Sequence, residues 1–508
     1  MRFNSPLLAI SLVLPSQVSA LAIPGLAIPG LSDLLPAPAK RTGPVIDLGY
    51  VKYQGTQNTA VSTNTYYGIR YAAPPIGNNR WKAPLPIEQY GGYSPSTVMD
   101  ATTQGPGCFQ SVPSWAGYTL GTGAAAPGYG LVRHSKGNLI FVSIQYRLHG
   151  FGFLSGSEIK KAGTANAGLL DQRAALDWVQ RNIAKFGGDP KKVTVAGASA
   201  GGGSVTAQMI MYGGVSNPPF RAAIAEYPWW QSYHNDTVLE AQYQQLLTTS
   251  KCSNLQCLRS LPEVDLANAI QRTFNLGYVA GLYGYGDFYY GPSVDGTIIK
   301  ELPSSAAASG RITKVPLLTN RDENEGINFS NGSITTTAET TSDLQRVWPL
   351  ATPAFFNSLA SLYPVSSYST SLLRRAAIFG DALIDCATTQ LATSLMKAGQ
   401  PVWKMRFNAG NTVHGATIPY LYGVSANGAD SANNQTLANI MKDYFVSFAT
   451  QLDPNAVSYS GVSKPTWNKY STKPQVMGVT NTLLANIPDY DAGAKCNFFQ
   501  QNGAIIRS

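Results

Sequence analysis

Residues 191–212 read KKVTVAGASAGGGSVTAQMIMY, and the fold turns on how this stretch divides. KKVTVAG is β-branched and apolar, the composition of a buried strand, and SAGGGSVTAQMIMY reads as the helix that follows. Between them stands Gly197-Ala198-Ser199-Ala200-Gly201, a serine flanked by glycines on a turn too sharp for side chains at those positions. Such a turn exposes the hydroxyl. The helix behind it presents unpaired backbone N–H groups and a field favouring negative charge. A glycine-rich turn with an incidental serine is the plainer reading, and the strand–turn–helix context argues against it. No Lys-Ser/Thr follows the glycines, which separates the stretch from a phosphate-binding loop.

Working outward, LIFVSIQY (139–146) has the composition of another buried strand. DQRAALDWVQRNIAKF (171–186) places Ala174, Leu176, Trp178, Val179 and Ile183 with helical periodicity, and Gly187-Gly188-Asp189-Pro190 ends that helix. RAAIAEY (221–227) resumes as a third strand. Strand, helix, strand, helix, strand predicts an α/β architecture, a parallel sheet with helices on its faces. Helical patterns recur at 238–250, 371–398 and 434–451, and GYVAGLYGYGDFYYGP (277–292) reads as loop. One large catalytic domain over 42–508 accounts for these patterns.

The N-terminus predicts export. Met1-Arg2, the apolar LLAISLVLP and the small residues Val18-Ser19-Ala20 form a signal peptide over 1–20. LAIPGLAIPG and Lys40-Arg41 mark 21–41 as a pro-segment or linker. No later stretch is apolar enough to span a bilayer, so the predicted location is extracellular. The net charge of +9 is dispersed rather than gathered into a basic strip, which argues against a nucleic-acid partner. Sequons at Asn235, Asn328, Asn331 and Asn434 fit glycosylation, and the five cysteines leave one unpaired.

A serine hydroxyl needs a histidine to take its proton and a carboxylate to orient that histidine. On a strand–elbow–helix scaffold the chain order is serine, acid, histidine. His134 and His149 precede Ser199. His234 adjoins the sequon at Asn235, which points to a surface role, so His414 remains by elimination. Many carboxylates lie between Ser199 and His414, and spacing alone does not choose among them.

YYGIRYAAPPIGNNRWKAP (66–84), IQYRLHGFGFL (144–154), residues 168–205 and YYGPSVDG (289–296) resemble the type-B carboxylesterase/lipase family, above all its secreted fungal members. RDENEGINF (321–329) and HGATIPYLYG (414–423) are similar to the family's acid and histidine segments. The resemblance implies an α/β-hydrolase fold, with a mostly parallel central sheet flanked by helices. It implies Glu325 as the acid, with Asp322 and Glu323 as alternatives, and supports His414. It implies an oxyanion hole built from the N–H groups of Ala200, Gly117 and Ala116. Tyr227, Trp229 and Trp230 fall where relatives place acyl-site residues, although an aromatic core stripe explains them as well. It also implies Cys252–Cys257 and Cys386–Cys496 bridges, leaving Cys108 unpaired. Neither metal nor cofactor is implied, and the partner is a small-molecule or lipid ester.

One departure stands out. In relatives several tens of residues separate the segment matching GPGCFQ (105–110) from the glycine turn; here only SVPSW precedes AGYTLG. The chain is therefore expected to lack one family strand near 111–117, together with the partner of Cys108 and the glutamate that ordinarily pairs with Arg80. Two readings follow: a secreted hydrolase that cleaves carboxylic esters through an acyl-enzyme, or a catalytically impaired or purely binding relative on the same fold. Ala198, where many relatives carry Glu, reads as a pocket change, and His149, in place of a usual Gly, as a surface substitution.

Overall fold

The computed structural model describes residues 41–110, 117–123, 125–425 and 428–508. The signal peptide, all but Arg41 of the 21–41 segment, and Ala116 lie outside them. Residues 42–508 form one compact unit.

Two sheets organise it. The smaller holds β1 (Arg41–Asp47), β2 (Lys52–Asn58), β3 (Thr63–Thr65) and β4 (Val98–Asp100). The larger holds β5 (Thr194–Ala198), β6 (Ala222–Glu226), β7 (Leu317–Asp322), β8 (Val402–Asn408), β9 (Gln475–Thr480) and β10 (Leu484–Pro488), in the order β10-β9-β8-β7-β6-β5. Every neighbour pair from β5 to β9 is parallel, and only β9–β10 is antiparallel. β6 and β7 are buried along their whole length, as strands covered on both faces must be. Helices Ala167–Asn182, Ala200–Ile210, Cys386–Lys397 and Gln435–Gln451 flank them, each burying an apolar stripe. This is the mostly parallel, helix-flanked sheet that the alternating pattern predicts.

The predicted strand at 139–146 does not form: these residues join no ladder, and Ile140 and Val142 stand 41% and 44% exposed. In the larger sheet β5 pairs with β6 alone among the described residues, and Ala196 on it is exposed while its neighbours are half-buried. Both segments have strand composition, but a strand needs a neighbour to satisfy its backbone. Among the described residues the larger sheet thus ends on the strand that leads to Ser199.

Other departures are smaller. The helix read at 171–186 begins four residues earlier and closes with a tight 3-10 turn, Ile183–Phe186. The pattern at 371–398 forms two helices, Ser371–Gly380 and Cys386–Lys397, joined by a wide turn at Asp381–Asp385. Helix Glu263–Val279 was not anticipated and enters the stretch read as loop, although Leu266, Ala269, Ile270, Thr273 and Phe274 line one buried face at helical spacing. Cys252–Cys257 and Cys386–Cys496 are bridged and Cys108 is free. Arg80 has taken other partners: its guanidinium donates to the carbonyls of Leu258, Arg259 and Leu261, at the electronegative C-terminal end of helix Leu255–Ser260.

Candidate active site

The C-terminal ends of β5 to β8 open onto one place, where parallel sheets present their loops. β5 ends at Ala198, and Ser199 turns the chain with φ 60° and ψ −124° before helix Ala200–Ile210 begins. A non-glycine residue held at such angles is strained, and the neighbours fix it. The Ser199 N–H donates to the Glu226 carbonyl (3.0 Å), and its carbonyl accepts from the N–H groups of Gly203 and Trp229 (2.9 and 3.2 Å). Of the two flanking glycines only Gly197 is sterically required: a Cβ there would meet the Gly201 carbonyl oxygen at 2.3 Å, whereas one at Gly201 would meet open space. Gly202 and Gly203 matter in another way. Their missing side chains let the helix settle on Glu226, Pro228 and Trp229, where a Cβ would come within 2.6 and 2.2 Å of backbone.

His414 Nε2 lies 2.7 Å from Ser199 Oγ, and its Nδ1 lies 2.5 Å from Glu325 Oε2. The imidazole thus bridges a hydroxyl and a buried carboxylate, the geometry of a base with its orienter. The alternative acids are occupied elsewhere. Glu323 makes a two-point pair with Arg406, and Asp322 accepts from the N–H groups of Gly415 and Ala416 (2.7 and 2.9 Å). Two other histidines depart from their sequence readings. His149 is buried rather than superficial, packed against Phe151, with a φ of +38° that a glycine adopts without strain. His234 is half-buried, its Nε2 donating to the Phe288 carbonyl (2.9 Å). Burial pushes both imidazoles down to about 4, so both are neutral at pH 7. His134 donates to Asp443 (2.8 Å), away from Ser199.

Tyr227 and Trp229 meet the His414 ring edge-on, with centroids 4.8 and 5.8 Å away. Trp230 turns away, and its indole N–H donates to Thr206 (3.1 Å) on the helix behind Ser199. Sequence reasoning missed three further aromatics. Phe329 packs on His414 at 4.9 Å, and Phe288 and Phe379 pack on Trp229 at 5.0 and 5.7 Å. The only advance signal was for Phe329, three residues after Gly326 in a segment already singled out. Gly117 lies against the Phe288 ring, and Tyr118 continues to the helix that follows Ser199, its hydroxyl 3.5 Å from Ser204. The Ala200 N–H, at the first position of its helix, has no intrahelical acceptor.

Two more carboxyls stand close by. Glu226 is buried at the end of β6, accepts from Tyr422 (2.9 Å) and Thr417 (3.2 Å), and is pushed up to about 7 by its burial. Asp322 is raised well above the usual carboxylate range, first by burial and then by the adjacent Glu325.

The carboxylesterase family matches residues 43–119 and 116–499, two stretches that meet where the sequence departs from its relatives. A secreted triacylglycerol lipase of Gibberella zeae is 32% identical over 70% of this chain and 64% of its own length. A secreted lipase of Botryotinia fuckeliana is 30% identical over 84% of this chain and 88% of its own, and a carboxylesterase of Aspergillus clavatus is 27% identical over 90% and 96%. Among solved structures, Aspergillus niger EstA superposes with a TM-score of 0.80 at 26% identity, over 92% of this chain and 99% of that one. The chain belongs to the carboxylesterase family and, by that membership, is a carboxylic-ester hydrolase of the α/β-hydrolase fold.

Proposed function

We propose that the chain is a secreted serine hydrolase that cleaves carboxylic esters through an acyl-enzyme. The Ser199 hydroxyl attacks the ester carbonyl carbon while His414 Nε2 takes its proton, and Glu325 holds the imidazole in the required tautomer. The charge on the carbonyl oxygen is met by the N–H groups of Ala200, Gly117 and Ala116. Protonated His414 then gives its proton to the departing alcohol. Water, deprotonated by the same nitrogen, cleaves the acyl–serine bond, releasing the acid and restoring Ser199. The observation that carries the reading is the chain of contacts Ser199–His414–Glu325, at 2.7 and 2.5 Å. Tyr227 and Trp229 line the acyl side of this site.

Export is proposed on the N-terminal pattern, with 1–20 as signal peptide and 21–41 as a removable segment, and on relatives described as secreted. No helix among the described residues is long and apolar enough to cross a membrane. The sequon asparagines Asn328 (exposed) and Asn235, Asn331 and Asn434 (half-exposed) are the proposed glycosylation sites.

A second reading, a catalytically impaired or binding relative, draws on one observation: among the described residues, the strand delivering Ser199 is the edge of its sheet. Loss of a single oxyanion donor costs roughly 10²–10³ in rate. The two readings separate on incubating purified protein with a short-chain p-nitrophenyl ester and a fluorophosphonate probe. Turnover and labelling, both abolished in S199A, are expected. Folded protein that neither turns over ester nor is labelled sinks the hydrolase reading.

A further inference from the structure

Four consecutive residues, 414–417, each give a hydrogen bond to a carboxylate at the end of β6 or in the segment that closes and follows β7. His414 Nδ1 donates to Glu325 Oε2 (2.5 Å), the N–H groups of Gly415 and Ala416 to Asp322 Oδ2 (2.7 and 2.9 Å), and Thr417 Oγ1 to Glu226 Oε2 (3.2 Å). Asp322 stands in the middle of this row and acts in two directions. Its side chain holds the backbone just after the histidine, and its own N–H donates to Glu325 Oε1 (2.5 Å), fixing the carboxylate that the histidine faces. Its Oδ1 is buried without a hydrogen-bond partner, so the two loop amides are what the carboxyl serves.

The loop needs such an anchor. Before the histidine, the Asn324 N–H donates to the Thr412 carbonyl (2.9 Å), and Asn324 bridges Val413. After it comes Gly415, at φ +88°, with no side chain to restrain the backbone, and its N–H is held by Asp322, while the Ala416 N–H is shared between Asp322 and the Val413 carbonyl (2.9 Å). Displacing a reacting group by about 1 Å is enough to cost roughly a hundredfold in rate.

We infer that Asp322 is a positioning residue for the catalytic histidine, clamping the 415–416 backbone and Glu325 so that His414 Nε2 stays on Ser199. This rests on the proposed roles of Ser199, His414 and Glu325. The remaining charged and titratable neighbours of Asp322 fit a holding role: Glu226 stands alongside it on β6, and the Arg321 guanidinium donates to the Asp322 backbone carbonyl (3.1 Å) rather than to its side chain.

The test compares D322L and D322N in the full chain. An asparagine keeps an oxygen that accepts both amides, whereas a leucine of similar size keeps none. D322L is expected to lower kcat roughly a hundredfold with KM within about twofold, and D322N to recover most of the loss. The His414 Nδ1 proton, shared with Glu325, is expected as a far-downfield proton resonance, broadened or lost in D322L and retained in D322N. Where D322L does not fold, D322A, which likewise keeps no acceptor, takes its place with the same expectations. A folded D322L or D322A with unchanged kcat and resonance overturns the inference, as does D322N losing as much as the leucine variant. If the unaltered chain turns over no ester, the proposed function fails by itself, and the resonance still decides the role of Asp322.

Discussion

The Phe288 ring occupies the space a side chain on Gly117 would need: a Cβ there would come within 1.9 Å of Phe288 Cζ. Glycine at 117 is therefore dictated by a ring supplied more than 150 residues later. G117A is expected to displace the turn proposed to hold an oxyanion donor and to lower kcat/KM by roughly 10²–10³. Shrinking the ring should relieve the clash, so G117A/F288L is expected to be more active than G117A alone. Additive losses in a double-mutant cycle would show that the two positions are uncoupled.

The acids are separable by charge-neutral substitution. E325Q is expected to lower kcat by roughly 10³–10⁴, because the amide no longer selects the Nδ1–H tautomer. E323Q breaks the partly exposed two-point pair with Arg406 and a longer contact with Arg321 (3.7 Å), and is expected to leave kcat unchanged and stability within about 1 kcal/mol. Steady-state kinetics on a p-nitrophenyl ester checks both. A loss in E323Q matching that in E325Q would reassign the acid.

Glu226 carries a pH signature. Folded, it keeps its proton up to about pH 7; unfolded, it loses it near 4.5. Between those values the native chain binds more protons than the unfolded one, so this group's contribution to stability falls as pH rises and stays low above pH 7. His149 and His234, held near 4, act in the opposite sense between their folded and ordinary values, and the raw pH profile mixes the two. The clean readout is the difference between E226Q and the unaltered chain. E226Q is expected to gain stability relative to it between pH 5 and 8, by up to roughly 3 kcal/mol. Urea titrations across that range that keep a constant difference would refute this.

The two bridges should differ in weight. Cys386–Cys496 closes a sequence separation of 110 residues and joins helices Cys386–Lys397 and Ala494–Gln501, whereas Cys252–Cys257 closes a separation of 5. By loop-closure entropy, removing the first by paired serine substitution is expected to cost about 5 kcal/mol and the second about 2. Denaturant unfolding of both variants checks the order.

Legibility in the sequence followed the range of the interaction. Ser199, β5, β6 and the helix between them could be read because the determinants are adjacent: a β-branched run, a glycine elbow, an apolar helix. His414 emerged by chain order and elimination, and Glu325 only by resemblance, since one carboxylate looks like another until partners such as Arg406 or the Gly415 amide are seen. Phe288 and Phe379 at Trp229 are contacts between distant segments that no local pattern announces. The same holds for Trp230, which turns to Thr206 rather than to His414. Helix Glu263–Val279 is different, because its periodicity is local and legible in the sequence. The 139–146 segment shows the limit of composition: strand-forming residues make no strand where no neighbour completes the ladder.

The position of β5 at the sheet's edge among the described residues has a consequence for how the molecule wears out. A strand tied on one flank alone gives up its amides to solvent more readily than strands sandwiched in the middle, and here the lone-flanked strand is the one that aims Ser199. Warming should therefore silence the protein before it melts: deuterium should enter Thr194–Ala198 ahead of β7, and ester turnover should decay at temperatures where the rest of the sheet is still intact.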